Sequence, residues 1–216
     1  MDLAAARPSA PAKRPRGRPR KTVDERDDGN RRRALIVGAA RLFRRKGFAA
    51  TSTRDIAAAA GMQSGSPFYH FKSKQALLFA VMDEGMRTAL ERQQRLLAEA
   101  QATGAAGQLR LLVRNHFEVL LGAGNDFIPV MLYEMRSITP RQRAALAALQ
   151  GAYEAPWIPV LQALHAAGRL KAEVKLARLL IFGALNWSAQ WFDSRKGATL
   201  DELTEAALGL FIGDTA

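Results

Sequence analysis

Residues 39–78, AARLFRRKGFAATSTRDIAAAAGMQSGSPFYHFKSKQALL, decide the fold of this 216-residue chain. An apolar stripe at helical spacing stops at Gly47 after a basic last turn, which is typical of a helix and its C-cap. Ser52 then caps a second helix, with Asp55 three residues later as an approximate capping box. This helix ends at Gly61, and a turn leads into a short third helix. Two short helices joined by a glycine turn predict a helix-turn-helix.

The surrounding residues, 32–85, resemble the DNA-binding head of the TetR family of bacterial transcriptional regulators along its whole length. The spacing is as specific as the residues, which makes an accidental match improbable. The resemblance implies an all-α fold, with a three-helix helix-turn-helix head followed by a helical ligand-binding and dimerisation domain. It also implies a homodimeric repressor that a small-molecule effector releases from a palindromic operator. The residues that carry it are Ala39 to Phe43, Lys46 to Phe48, Ser52 to Ala57, Ala60 to Met62, Ser66 to Lys74, Leu77 and Leu78.

The chain divides into three predicted parts. Residues 1–30 combine four prolines with many charges and few apolar side chains, so we expect a disordered basic arm. Residues 31–78 form the head, and residues 79–216 form the ligand-binding and dimerisation domain. No segment shows the alternation expected of strands. Beyond the head we predict helices over 74–102, 107–121, 126–138, 141–167, 171–193 and 200–212, bounded by glycine, proline and cap residues.

Basic charge is concentrated in the N-terminal part. Residues 1–86 hold 18 Lys and Arg against 8 Asp and Glu, whereas the remaining residues hold 14 against 12. This asymmetry favours a head that binds a polyanion, joined to a nearly neutral body. Within the arm, Arg16, Arg18 and Arg20 lie in an Arg-Gly-Arg-Pro context that resembles an AT-hook, which enters the minor groove. A merely solvated basic tail is an equal alternative for this segment.

Candidate DNA contacts follow from the motif. The start of the third helix is small and polar, which suits entry into a major groove, and Gln63 can pair with adenine in two hydrogen bonds. By resemblance to the family, residues after this start grip phosphates, as do residues at the positive end of the second helix. The predicted base-contacting residues are Gln63, Ser64, Gly65 and Ser66, and the predicted backbone contacts are Ser52, Thr53, Arg54, Tyr69, His70 and Lys74.

The C-terminal part resembles a TetR subgroup, through Arg136-Ser137 and Pro140 and more clearly through Phe182 to Trp187 with Trp191-Phe192. That subgroup includes regulators of fatty-acid, aromatic-acid and steroid catabolism, several of which respond to acyl-CoA thioesters. We therefore expect an organic acid or its CoA thioester as effector. We also expect the helix starting at Lys74 to transmit effector binding to the head. The predicted ligand-binding residues are Phe117, Met131, Tyr133, Arg136, Tyr153, Asn186 and Trp187, and the predicted dimer residues are Gly183, Ala184, Trp191, Leu203 and Leu210.

Other function classes are disfavoured. The chain has no cysteine, and His70, His116 and His165 are isolated from carboxylates or a second histidine at metal-ligand spacing, so we expect no enzyme, cofactor or metal site. There is no apolar stretch of membrane-spanning length and no secretion signal, which predicts a cytoplasmic protein of the bacterial nucleoid. The alternative to a regulator is an architectural binder of A·T-rich DNA without a true effector.

Overall fold

The computed structural model describes residues 23–62, 67–100, 104–122 and 124–213. Among these residues every regular element is helical, which confirms the all-α prediction. Short 3₁₀ turns follow the sixth and ninth helices and precede the tenth. The helices are α1 Val23–Lys46, α2 Thr53–Ala59, α3 Pro67–His70, α4 Lys74–Glu99, α5 Gly104–Leu121, α6 Phe127–Glu134, α7 Pro140–Glu154, α8 Trp157–Ala166, α9 Val174–Trp187 and α10 Leu200–Phe211.

Side-chain caps set several helix starts. The Ser52 hydroxyl accepts from the Asp55 backbone at 3.1 Å, and the Asp55 carboxylate accepts from the Ser52 backbone at 3.1 Å, so the predicted capping box is complete. These hydrogen bonds to Ser52, backbone first, lower the pKa of the exposed Asp55 carboxyl below its usual range. Thr199 and Glu202 form an equivalent box before α10.

The first helix is longer than predicted. It begins at Val23, so the prediction of a disordered arm over residues 1–30 was wrong for residues 23–30. Polar residues with no apolar stripe can extend a helix when the following turns are already anchored, because extension needs no new nucleus. The remainder of the arm, including Arg16, Arg18 and Arg20, lies outside the described residues.

Three predicted body helices are divided or shortened. The predicted helix 126–138 ends at Glu134 and passes into a 3₁₀ turn over Met135–Ser137. The predicted helix 141–167 is two helices, α7 and α8, because Pro156 lacks the backbone N–H that a continuous helix needs. The predicted helix 171–193 ends at Trp187, after which the Ser188 hydroxyl donates to the Leu185 carbonyl at 2.6 Å inside a 3₁₀ turn. A side chain that bonds the preceding turn competes with helix continuation.

A continuous apolar core joins the head to the body. Leu35 and Ile36 of α1 are fully buried against α4, whose own buried residues continue the core toward α6 and α7. At Gly85 the helices α4 and α6 approach so closely that an added Cβ would lie 2.5 Å from the Cβ of Phe127. The helix α4 is therefore packed against the head at its start and against the body along the rest of its length.

Candidate nucleic-acid interface and effector cavity

The described part of the head presents several polar side chains on its surface. Tyr69 of α3 is 82% exposed, and Ser52 and Arg54 at the start of α2 are exposed, while Thr53 is half-buried. These positions leave the predicted contacts of Tyr69, Ser52 and Arg54 with DNA sterically open. The four predicted base-contacting residues, Gln63, Ser64, Gly65 and Ser66, lie outside the described residues.

Two other predicted phosphate contacts are engaged within the protein. The Nδ1 atom of His70 lies 3.5 Å from a carboxylate oxygen of Asp28, and the histidine side chain is 5% exposed. The Lys74 ammonium donates to the carbonyls of Phe48 and Thr51, each at 2.8 Å, and lies 4.3 Å from the centre of the Phe48 ring. The structure therefore gives His70 and Lys74 a role in holding the head together, which the sequence motif did not indicate.

A cation that the sequence reasoning passed over lies beside them. Lys72, between α3 and α4, is exposed and follows the exposed Tyr69 by three residues. Neither Lys72 nor the exposed Arg54 forms an ion pair within the described part of the chain, whereas the Lys74 ammonium is bound to two backbone carbonyls. That Lys74 turns inward while Lys72 stays exposed could not be recognised from charge alone.

The body contains a small cavity, which we call the effector cavity because it is the candidate site for an effector. Its volume is about 30 Å³, room for little more than one water molecule. The lining is mainly apolar, with methionine and leucine side chains that can move to admit a larger molecule. The cavity is lined by Met86 and Ala89 of α4, His116 and Val119 of α5, Ile128, Met131 and Leu132 of α6, Gln150, Tyr153 and Glu154 of α7, and Phe182 and Asn186 of α9.

A buried hydrogen-bond network lies at one side of this cavity. The His116 Nε2 and the Asn186 Oδ1 are 3.1 Å apart, and the His116 Nδ1 and the Tyr153 hydroxyl are 3.2 Å apart. Burial lowers the pKa of His116 to about 4, against an opposing hydrogen bond to Asn186, so the ring is neutral at pH 7. Because Asn186 presents an acceptor, Nε2 donates to it and Nδ1 accepts from Tyr153. Burial also raises the pKa of Tyr153 above its usual value.

Further buried contacts hold this network rigid. Gln93, which is fully buried, donates to the Tyr153 backbone carbonyl at 2.6 Å and accepts from the Trp157 indole N–H at 3.0 Å. The Phe182 ring packs 4.6 Å from Trp157 and 5.4 Å, edge to face, from His116. Residues from five helices, α4, α5, α7, α8 and α9, therefore position the polar groups that face the cavity.

The structure brings together three of the seven predicted ligand-binding residues. Met131, Tyr153 and Asn186 line the effector cavity. Phe117 does not, because its side chain points from α5 into the solid core. Tyr133 is 45% exposed, and Trp187 is 65% exposed on the outer face of α9. Arg136 is exposed in the 3₁₀ turn after α6, which ends the helical register that the prediction assumed.

His116 is the main residue that sequence reasoning missed. It appeared isolated, because no carboxylate or second histidine lies at metal-ligand spacing from it along the chain. A usable signal was present, since Leu112, Val113, Val119 and Leu120 surround it at helical spacing and all four are buried. That pattern places His116 on the buried face of α5.

The helix α6 touches both the cavity and the head. Ile128, Met131 and Leu132 line the cavity. At the two ends of the same helix, Asp126 pairs with Arg44 of α1 at 3.1 Å, and the Glu134 carboxylate accepts from the Phe48 backbone N–H at 2.8 Å. A displacement of α6 therefore changes the contacts that hold the head.

The outer face of α9 and α10 carries large exposed apolar side chains. Leu180 is 69% exposed, Leu210 is 84% exposed and Trp191 is 57% exposed. A Cβ added at Gly183 meets no other atom within 4 Å. Of the other predicted dimer residues, Ala184 is exposed and Leu203 is half-buried. The exposed face also includes Leu176, Leu179 and Trp187.

Comparison with known proteins agrees with this architecture. Residues 35–81 match the bacterial regulatory proteins of the tetR family, and residues 102–213 match the tetracyclin repressor-like C-terminal domain. The chain belongs to the TetR family. The resemblance inferred from the head motif is thereby confirmed, and the protein is a helix-turn-helix transcriptional regulator.

Individual relatives are moderately similar. The HTH-type transcriptional repressor KstR2 of Rhodococcus jostii is 27% identical over 89% of this chain and 95% of its own length. The fatty acid metabolism regulator protein of Bacillus subtilis is 26% identical over 82% of this chain and 92% of its own length. Among solved structures, superantigen PfiT is 37% identical with a TM-score of 0.70, over 85% of this chain and 97% of that chain.

Within the described ranges, none of the helices combines the length and the apolar character that crossing a bilayer requires.

Proposed function

We propose that this TetR-family regulator is a homodimeric repressor that leaves a palindromic operator when an organic acid or its CoA thioester occupies the effector cavity. The observation that carries the proposal is α6, which lines the cavity on one face and holds the head at both ends. Effector and DNA can then compete through one element, without contact between their sites.

The dimer follows from the exposed apolar face of α9 and α10. Large exposed apolar patches on a protein of this size mark sites of association. Gly183 and Ala184 leave room for a second helix to approach closely, and Leu180 and Leu210 supply apolar area. A two-fold pair of such faces would place four helices together, with two heads directed at two half-sites about one helical turn apart or somewhat more.

DNA contacts are assigned to the two ends of the helix-turn-helix. Gln63 and its neighbours to Ser66 read base edges, while Tyr69, Arg54 and Lys72 contact phosphates. We retain Ser52 and Thr53 as DNA contacts, but we assign these contacts to the N-terminus of α2 and not to the Ser52 hydroxyl. That hydroxyl already accepts a hydrogen bond within its capping box.

The effector class follows from the chemistry of the cavity together with the relatives. An apolar chain suits the Met86, Met131 and Phe182 surfaces, and the neutral His116 and Tyr153 can reorganise their hydrogen bonds around a carbonyl oxygen. The Bacillus subtilis relative is a fatty acid metabolism regulator protein, which agrees with an acyl group.

Coupling between effector binding and DNA binding follows from the small size of the effector cavity. A volume of about 30 Å³ admits no acyl chain without movement of its walls. Of the walls, α6 is short and connects directly to the head through Asp126 and Glu134. An effector that fits only the expanded cavity shifts the population toward the arrangement with displaced heads. A coupling of about 1–3 kcal/mol would weaken DNA binding about 5- to 150-fold.

The direct test is selection of genomic fragments by the purified protein, followed by sequencing and footprinting. We expect a pseudo-palindrome protected on both half-sites. Gln63→Ala should relax base preference, whereas the matched control Gln94→Ala, at an exposed position of α4, should leave it unchanged. Uniform binding to A·T-rich DNA without a palindrome would instead support the architectural alternative and reject the repressor assignment.

Coupling is tested separately with Glu134→Gln, which retains the shape of the side chain and removes the charge that the Phe48 N–H contacts. We expect weaker communication between effector and operator in this variant, measured as the ratio of operator affinities with and without effector. Arg136→Gln, in the exposed turn next to α6, is the control. A Glu134 variant with the wild-type ratio would exclude the charge of Glu134 as part of the connection.

A further inference from the structure

A second cavity adjoins the effector cavity at the junction of head and body. We call it the outer compartment; its volume is about 170 Å³. Ala89, Val119 and Ile128 line both this compartment and the effector cavity, so the two spaces are adjacent. The rest of its lining comes from α1, α4 and the segment entering α6, namely Arg33, Val37, Glu84, Gly85, Thr88, Arg92, Asn125 and Phe127.

The charges of the outer compartment differ from those of the inner one. Arg33 of α1 and Arg92 of α4 both line it, against the single carboxylate of Glu84. Within the described ranges, neither arginine forms an ion pair with a carboxylate. The Nε of Arg92 donates at 3.0 Å to Asn115, which is 3% exposed, so a buried residue orients this guanidinium.

The inner cavity offers no such cation. Its polar lining consists of the neutral His116, Tyr153, Gln150 and Asn186, with Glu154 already paired to Arg178. A carboxylate or phosphate buried there would be desolvated without a counter-charge, which is strongly unfavourable. An effector that is both apolar and anionic must therefore place its charge elsewhere.

We propose that one effector spans both spaces, with its apolar group in the effector cavity and its anionic group in the outer compartment between Arg33 and Arg92. This inference rests on the proposed function and specifies its effector. Arginine binds carboxylate and phosphate groups through paired N–H donors. Val37, which is 39% exposed although apolar, faces the same space and would cover the chain between the two ends.

The arrangement also gives the anion a mechanical role. Arg33 belongs to the head and Arg92 to the body, so an anion between them connects the two parts directly. A neutral molecule of the same shape would fill the inner cavity without making this connection. We therefore expect anionic effectors to bind more tightly than their neutral counterparts and to alter operator binding more strongly.

The experiment compares ligands that share an alkyl chain and differ in the group at its end. Hexanoic acid and hexanol, decanoic acid and decanol, and the two corresponding CoA thioesters are titrated into the full-length protein by calorimetry. At least one anionic compound should bind about tenfold more tightly than the alcohol of the same chain, as expected for charge-assisted hydrogen bonds. Tight binding of the free acid identifies the carboxylate as the anion, whereas tight binding of the thioester alone, if it depends on Arg33 and Arg92, identifies the CoA phosphates.

Substitutions of the two arginines test where the anionic group of the effector binds. Arg33→Gln and Arg92→Gln should each remove most of the preference for the anion while leaving alcohol binding unchanged. Arg95→Gln is the matched control, since Arg95 is exposed on the same helix as Arg92, three residues further along and outside the cavity lining. Melting temperatures of the unliganded variants check that the fold is intact.

The proposal is overturned if no anionic compound binds better than its alcohol, or if the Arg33 and Arg92 variants behave like the Arg95 variant. Selection of operator fragments does not depend on any ligand. A protein that binds its operator but shows no preference for anions would therefore reject this inference and leave the regulator assignment in place.

Discussion

Replacing Leu180 by glutamate tests the dimer face quantitatively. Leu180 is 69% exposed in the single chain. Full burial of a leucine side chain contributes ~1.5–3 kcal/mol, so the exposed part represents ~1–2 kcal/mol on each subunit. A two-fold interface contains the residue twice, which gives ~2–4 kcal/mol for the dimer. At ~1.4 kcal/mol per factor of ten, the dissociation constant should rise ~30- to ~700-fold.

The substitution should leave the subunit itself folded. Glutamate and leucine have similar helix propensities, and position 180 lies outside the buried core. Sedimentation over a range of concentrations measures the dimer constant, and far-ultraviolet circular dichroism checks helix content. Ala148→Glu, at an exposed position of α7, is the control for added charge.

Operator affinity gives a second, independent measure. If two heads act together on one palindrome, operator binding by the Leu180 variant should weaken in parallel with dimer formation. A Leu180 variant that sediments and binds DNA as the wild type does, or an Ala148 variant that is equally impaired, would refute the assignment of this face to the dimer.

Three further predictions concern the arm, the buried histidine and the α4–α6 contact. Deleting residues 1–22 should weaken operator binding and reduce its salt dependence, and unchanged affinity at low ionic strength would show a solvated tail. Because burial lowers the pKa of His116 from 6.5 to about 4, the unfolded chain takes up a proton first, so stability is complete above pH ~6.5 and falls by about 3 kcal/mol toward pH ~4. Urea titrations of His116→Gln should lose most of that pH dependence. Gly85→Ala places a Cβ 2.5 Å from Phe127 and should cost ~1–3 kcal/mol in the same assay, whereas Gly151→Ala, with open space around it, should stabilise slightly.

The sequence alone determined the helical class, the helix-turn-helix and most helix ends. These depend on neighbours within one or two turns, as the Ser52 and Asp55 capping box illustrates. The end of α1 at Lys46 and the start of α4 after Ser73 were likewise readable, because Gly47 has a positive φ and the Ser73 side chain accepts from the Ala76 backbone. Local hydrogen bonds and backbone preferences are determined by adjacent residues.

Only the tertiary structure decided which polar groups meet. His116, Tyr153 and Asn186 come from three helices and are 37 and 70 residues apart in the sequence, and no local pattern predicts their hydrogen bonds. The inward turn of Lys74 likewise depends on two carbonyls from the segment between α1 and α2. A buried polar group must find a partner wherever the packing brings one, so its role follows from the assembled helices and not from its place in the chain.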